Sequence, residues 1–134
     1  MSPEQKPRIT VVNDSPEFLE LMADLLHDER YPVTLIDGDR ENAVELIEAA
    51  LPQALIIDLR LGSDELHGWD VLTEVRRHPN LSELPTLICT GDLKGLERLA
   101  DELAGMRRVA TITKPFSVDE LFSTLDALLQ MEAT

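Results

Sequence analysis

The chain has 134 residues, 43% of them hydrophobic and 28% charged, which suits one soluble domain with its own core. Its 26 acidic against 12 basic residues give a net charge of -14, which argues against the basic footprint of a nucleic-acid binder, disfavours anionic membrane surfaces and points to basic faces of other proteins. The single cysteine, Cys89, fits a reducing compartment, no apolar run approaches transmembrane length, and Met1 to Lys6 lacks a signal peptide's apolar core, so a cytoplasmic protein is expected.

Arg8 to Asn13 reads as a strand, followed by Ser15 as N-cap and Pro16 at the first helical position. The first helix has one apolar stripe, Phe18, Leu21, Met22, Leu25 and Leu26. Pro32 to Ile36 suggests a second strand, and Ala43, Val44, Ile47 and Ala50 mark a second helix closed by Pro52. Ala54 to Leu61 is the central stretch: four apolar residues read as a strand buried on both faces, and Asp58 stands where it should end.

A polar loop from Gly62 to Gly68 precedes a third helix, with Val71, Leu72 and Val75 inward and Arg76 and Arg77 outward. Pro85 to Thr90 is a fourth strand, and Leu96, Leu99, Ala100 and Leu103 mark a fourth helix. Val109 to Thr113 is a fifth strand ending at Lys114-Pro115, and Ser117 with Glu120 forms a capping-box pattern for the last helix. Five strands alternating with five helices predict a doubly wound α/β domain with a parallel sheet and right-handed crossovers. There is no Walker A loop, no GxGxxG after the first strand, and no His/Cys cluster with metal spacing.

In a parallel sheet the carboxyl ends of the strands share one edge, where open α/β folds place their ligands. That edge gathers Asn13, Asp14, Asp58, Thr90 and Lys114. Two nearby carboxylates repel by roughly 4 kcal/mol at 4 Å and an effective dielectric of 20. A magnesium ion between hard carboxylate oxygens removes that cost and screens a phosphoryl group. Lys114 supplies a mobile charge for phosphate oxygens, the Thr90 hydroxyl can donate to them, and Asp58 would be the nucleophile. Taken singly, Asp14 could cap the first helix, Asp58 could form a turn and Lys114 could be a solvated cation; their conjunction on one edge favours a phosphoryl site. His27, His67 and His78 read as surface residues, Trp69 as a partly buried packing residue and Cys89 as a small core hydrophobe.

These segments (Ile-Thr-Val-Val-Asn-Asp, Leu-Ile-Ile-Asp-Leu-Arg-Leu, Gly-Trp-Asp-Val-Leu, Leu-Ile-Cys-Thr-Gly-Asp and Thr-Lys-Pro-Phe) resemble, in order and spacing, the receiver domains of two-component response regulators. The resemblance covers essentially the whole chain. It implies a flavodoxin-like (βα)5 fold with strand order 2-1-3-4-5 over residues 1–134, with 1–7 as a flexible tail. It makes Asp58 the phosphorylated aspartate, Asp14 an acidic Mg2+ ligand, and the Arg60 main-chain carbonyl a further ligand. Thr90 becomes the hydroxyl that turns toward the phosphoryl group, and Lys114 the lysine that contacts it. A cis Lys114-Pro115 bond is also implied.

Three departures stand out. Asn13 replaces one of the family's two acids, so it would reach the metal only through water, and Mg2+ binding should be weaker. Gly62 stands where the family commonly has proline, in a slightly longer loop. Thr111 occupies the usually aromatic switch position.

The expectation is a single-domain, phosphorylation-controlled receiver, not an enzyme beyond its own phosphoryl uptake and loss. A histidine kinase or phosphotransfer protein would be the donor, and an unknown downstream protein would be bound by protein contact. Neither nucleic acid nor membrane is expected as a partner, and the chain would be a monomer or weak homodimer. The alternatives are a phosphorylation-independent interaction module, or a receiver excised from a longer regulator or hybrid kinase. Met1 and the short tail after the last helix slightly favour an intact small protein.

Overall fold

A computed structural model describes residues 6–61 and 67–131. Residues 1–5 of the expected tail, and the 62–66 part of the loop after Asp58 with its Gly62, lie outside the described residues. Lys6 holds its ammonium 4.5 Å from the centre of the Tyr31 ring.

The strands are β1 (Ile9–Asn13), β2 (Val33–Asp37), β3 (Ala54–Ile57), β4 (Thr86–Thr90) and β5 (Val109–Thr113). They form one sheet in the order β2-β1-β3-β4-β5, and every pairing is parallel. The fold is the flavodoxin-like one expected. Every residue of β1, β3 and β4 is buried, because helices cover both faces of a parallel sheet.

Alternation along the strands divides the core in two. Val11, Ile56 and Leu87 share one register level and pack with Met22, Leu26, Leu121 and Leu125, from helices α1 (Pro16–Asp28) and α6 (Val118–Leu129). Val12, Ile57 and Ile88, one level on, pack on the other face with Ile47, Leu72 and Val75, from α2 (Ala43–Ala50) and α3 (His67–Arg76). Each such aliphatic side chain, fully buried, contributes about 1.5–3 kcal/mol.

The helix starts follow their capping residues. Ser15 Oγ accepts the Phe18 N–H at 3.2 Å with Pro16 in the first turn, and Ser117 Oγ accepts the Glu120 N–H at 3.0 Å. Helix α2 ends on Leu51 at φ 50, a left-handed position that costs an L side chain about 1 kcal/mol.

Two expectations are corrected. The fourth helix is divided into α4 (Leu93–Arg98) and α5 (Ala100–Ala104). Leu99, between them and buried at 8% exposure, has φ -101 and ψ 8. Its N–H still donates to Gly95 O and its carbonyl accepts from Leu103 N, so the departure from helical dihedrals at Leu99 leaves both of its own bonds in place. Arg76 does not face outward. Its Nη2 donates to Leu84 O at 2.6 Å and its Nη1 to Ser82 O at 3.3 Å, tying the segment before β4 to α3, and burial lowers its pKa. Arg77 is exposed, as expected.

His78, expected on the surface, is partly exposed and places Nε2 2.8 Å from Glu48 Oε1, joining the ends of α2 and α3. Trp69 is partly buried against the core.

Candidate functional site

Asp58 follows β3 directly and is 9% exposed. Continuing the register past Val12↔Ile57 and Ile57↔Ile88 sets it beside Asn13 on β1 and Cys89 on β4. Both carboxylate oxygens are engaged: Oδ1 accepts the Arg60 N–H at 3.1 Å and Oδ2 lies 2.8 Å from Lys114 Nζ. The first contact is a local turn in which the carboxylate accepts the N–H two residues further on. The second is a charge-assisted bond that spans 56 residues of sequence. Its side chains are 11% exposed at Asp58 and 30% at Lys114, so water screens the pair only in part.

Lys114 is rooted in the sheet. Its N–H donates to Thr90 O at 2.9 Å, and the peptide bond to Pro115 is cis, as the resemblance implied. Above it, the ammonium stands 4.3 Å from the centre of the Phe18 ring, and Phe18 meets Phe116 edge to face at 6.5 Å.

Thr90 is fully buried, and its Oγ1 accepts the Asp92 N–H at 3.1 Å, so the hydroxyl proton remains available to donate. Asn13, 2% exposed, uses Oδ1 to accept the Ser15 N–H at 2.9 Å. The amide thus shapes the turn into α1, with one lone pair of that oxygen left over. Asp14 follows it and is exposed. Thr111 is exposed on the edge strand β5. Cys89 is 1% exposed, and burial pushes its thiol up to about 12 against a smaller opposing pull from the Lys114 ammonium. Such a thiol is inert near neutrality.

The structure therefore brings Asn13, Asp58, Thr90 and Lys114 to one edge, with Asp14 at the end of the neighbouring strand. Sequence reasoning missed two residues. By spacing Phe18 belongs only to the apolar stripe of α1, of which Leu21, at 50% exposure, lies outside the core. Gly68 closes the polar loop by composition, yet it sits in the first turn of α3 and donates its N–H to Leu59 O at 2.8 Å. A Cβ there would stand 1.7 Å from Asp58 O and 2.8 Å from Asp58 C. A glycine opening the helix that follows β3 is a signal that could have found it; no local signal joins residue 18 to residue 114.

Among the described residues, no three His, Cys, Asp or Glu side chains gather into a metal cage, and no helix is long and apolar enough to cross a membrane.

Known proteins share this fold. The family model of the response regulator receiver domain matches residues 9–126. The transcriptional regulatory protein TcrA of Mycobacterium tuberculosis is 31% identical over 123 residues, covering 90% of this chain and 45% of TcrA, so the chain spans about half the length of such curated relatives. An uncharacterized 14.6 kDa protein of Leptolyngbya boryana is 31% identical over 113 residues, 84% of this chain and 82% of that protein. Among solved structures, the receiver domain of the sensor histidine kinase PA1611 from Pseudomonas aeruginosa PAO1, with a magnesium ion coordinated in its active-site cleft, superposes with a TM-score of 0.77 at 25% identity. That match covers 93% of this chain and 98% of the other. The Vibrio cholerae chemotaxis protein CheY4 has the same fold, with a TM-score of 0.76 at 20% identity over 91% of this chain and 98% of its own. With the family model spanning all five strands, this chain belongs to the response regulator receiver domains of two-component systems.

Proposed function

We propose that Asp58 accepts a phosphoryl group from a histidine kinase or histidine phosphotransfer protein, and that the charge gained alters the surface bound by a downstream protein. One observation carries this reading: a buried carboxylate at the carboxyl edge of the sheet is held at 2.8 Å by Lys114, with the buried Thr90 hydroxyl on the next strand. A carboxylate oxygen of Asp58 attacks phosphorus in line, forming an acyl phosphate. The bond from phosphorus to the donor's imidazole nitrogen breaks, and its electron pair stays on that nitrogen. Lys114 and the Thr90 hydroxyl then meet the new phosphoryl oxygens, the lysine as a point charge and the threonine as a donor.

Two carboxylates, Asp14 and Asp58, and the Arg60 carbonyl form a hard oxygen donor set, which suits Mg2+ because that ion keeps several waters and takes only one or two carboxylates. When bound, Mg2+ neutralises phosphoryl charge during transfer. Asn13 adds no charge, so Asn13→Asp, which can still accept the Ser15 N–H, is expected to tighten Mg2+ binding roughly tenfold. Metal titration measures this, and equal affinities would count against Asn13 standing near the ion. Output by protein contact, a cytoplasmic setting and a monomer or weak homodimer complete the reading.

Incubation with acetyl phosphate and Mg2+, followed by intact mass measurement, tests the assignment. The wild type should gain one phosphoryl group and Asp58→Asn none. A wild type that never gains mass would leave the second reading, a receiver-like module that binds partners without phosphorylation. The observation favouring that alternative is Asn13 itself, an uncharged amide that shapes the turn into α1 by accepting the Ser15 N–H.

A further inference from the structure

We infer that Phe18 is a positioning residue for phosphoryl transfer: its ring is the shelf that keeps the Lys114 ammonium over Asp58. This rests on the acceptor role proposed for Asp58. Lysine is a compact charge on a flexible stem, and left to itself it would spend much of its time in water. Among the described residues the ammonium meets the Asp58 carboxylate at 2.8 Å and the Phe18 ring at 4.3 Å from its centre. The second distance lies within the range of a cation held by a ring face.

The ring is itself fixed from both sides. Phe116, two residues beyond Lys114, packs on it edge to face at 82°, and both rings are partly buried against the same core cluster. At the other end, Asn13 Oδ1 holds the Ser15 N–H at 2.9 Å and Ser15 Oγ holds the Phe18 N–H at 3.2 Å. An unbroken line of contacts thus runs from the end of β1, through the start of α1, to the lysine. The amide at position 13 has a use in that line that owes nothing to metal binding.

The chemistry explains why a ring suits this place better than a second acid. As Asp58 takes up a phosphoryl group, the ammonium must move from a carboxylate oxygen to a phosphoryl oxygen. A carboxylate partner would hold it at one point, whereas a ring face attracts a cation over a broad area and lets it slide. The ring also keeps water off one side of the ammonium, which strengthens its pull on charge developing at phosphorus.

The test compares wild type, Phe18→Leu and Phe18→Tyr. Leucine keeps apolar bulk at a half-buried position and removes the π face; tyrosine keeps the face. Initial rates of mass gain from acetyl phosphate with saturating Mg2+ should fall about two- to fivefold in Phe18→Leu and recover in Phe18→Tyr, the size expected of one cation–π contact. Proton NMR of the resting protein supplies a readout that packing alone would not move. The Lys114 ε-methylene signals should lie upfield of those of exposed lysines in wild type and Phe18→Tyr, and return to the exposed range in Phe18→Leu. A wild type that gains mass, with Phe18→Leu gaining it at the same rate, overturns the assignment of Phe18 alone. A wild type that gains no mass from any donor overturns the acceptor reading and this inference with it. Unshifted Lys114 signals in wild type overturn the shelf whatever the rates.

Discussion

Replacing Gly68 by alanine should lower the melting temperature by about 10 °C or more, the response of a domain this size to a loss of about 3 kcal/mol. Space, not backbone conformation, demands glycine, because no left-handed φ marks this residue and a Cβ would fall 1.7 Å from the carbonyl oxygen of Asp58. The obstructing atoms belong to the main chain of Asp58 and Leu59, so no side chain can rotate away. Either α3 must lift off β3, exposing parts of Val71, Leu72 and Val75 that are now buried, or the Asp58 peptide must shift. Both routes also disturb the carboxylate, so phosphoryl uptake should slow in the fraction that remains folded. Thermal unfolding followed by circular dichroism checks the first effect. A change of only 2–3 °C, worth about 1 kcal/mol or less, would mean that the helix can retreat with little loss of packing.

Lys114→Ala should slow phosphoryl uptake from acetyl phosphate about a hundredfold, the usual scale for losing one group that stabilises charge in the transition state. The same change should destabilise the resting protein by about 1–3 kcal/mol in buffer free of divalent ions, because it leaves a buried carboxylate without its cation. Asp58→Asn should cost less. It removes the carboxylate's charge, while the ammonium, with its side chain 30% exposed, keeps both water and the Phe18 ring. Urea unfolding of the two variants measures the difference, and equal losses would show that the pair is not worth more than its geometry on either side.

Much of this molecule is legible in the chain itself. The strands announce themselves as β-branched runs bounded by proline, glycine and asparagine, and strict alternation with amphipathic helices leaves a parallel sheet as the simple solution. Ser15-Pro16 and Ser117 through Glu120 mark helix starts because capping is local chemistry. The candidate site is readable for the same reason: Asn13, Asp14, Asp58, Thr90 and Lys114 all sit at strand ends, and strand ends of a parallel sheet converge.

What escapes is chemistry between elements that are distant in sequence. Arg76 reads as solvent-facing by helical period, but its guanidinium finds the Ser82 and Leu84 carbonyls, and no periodicity encodes that loop. Phe18 fits an inward stripe equally well whether or not a lysine stands over it. Leu99 continues the apolar spacing of one helix, and nothing in that spacing marks the non-helical dihedrals that divide it.

The bond from the Lys114 N–H to Thr90 O has one more consequence. It pins the root of the lysine to the last rung between two strands, so its charged tip can swing but its base cannot travel. The flexible stem therefore has a fixed maximum reach, measured from the ladder toward Asp58. Any adduct on Asp58 that lies beyond its reach can be met only by breaking that rung.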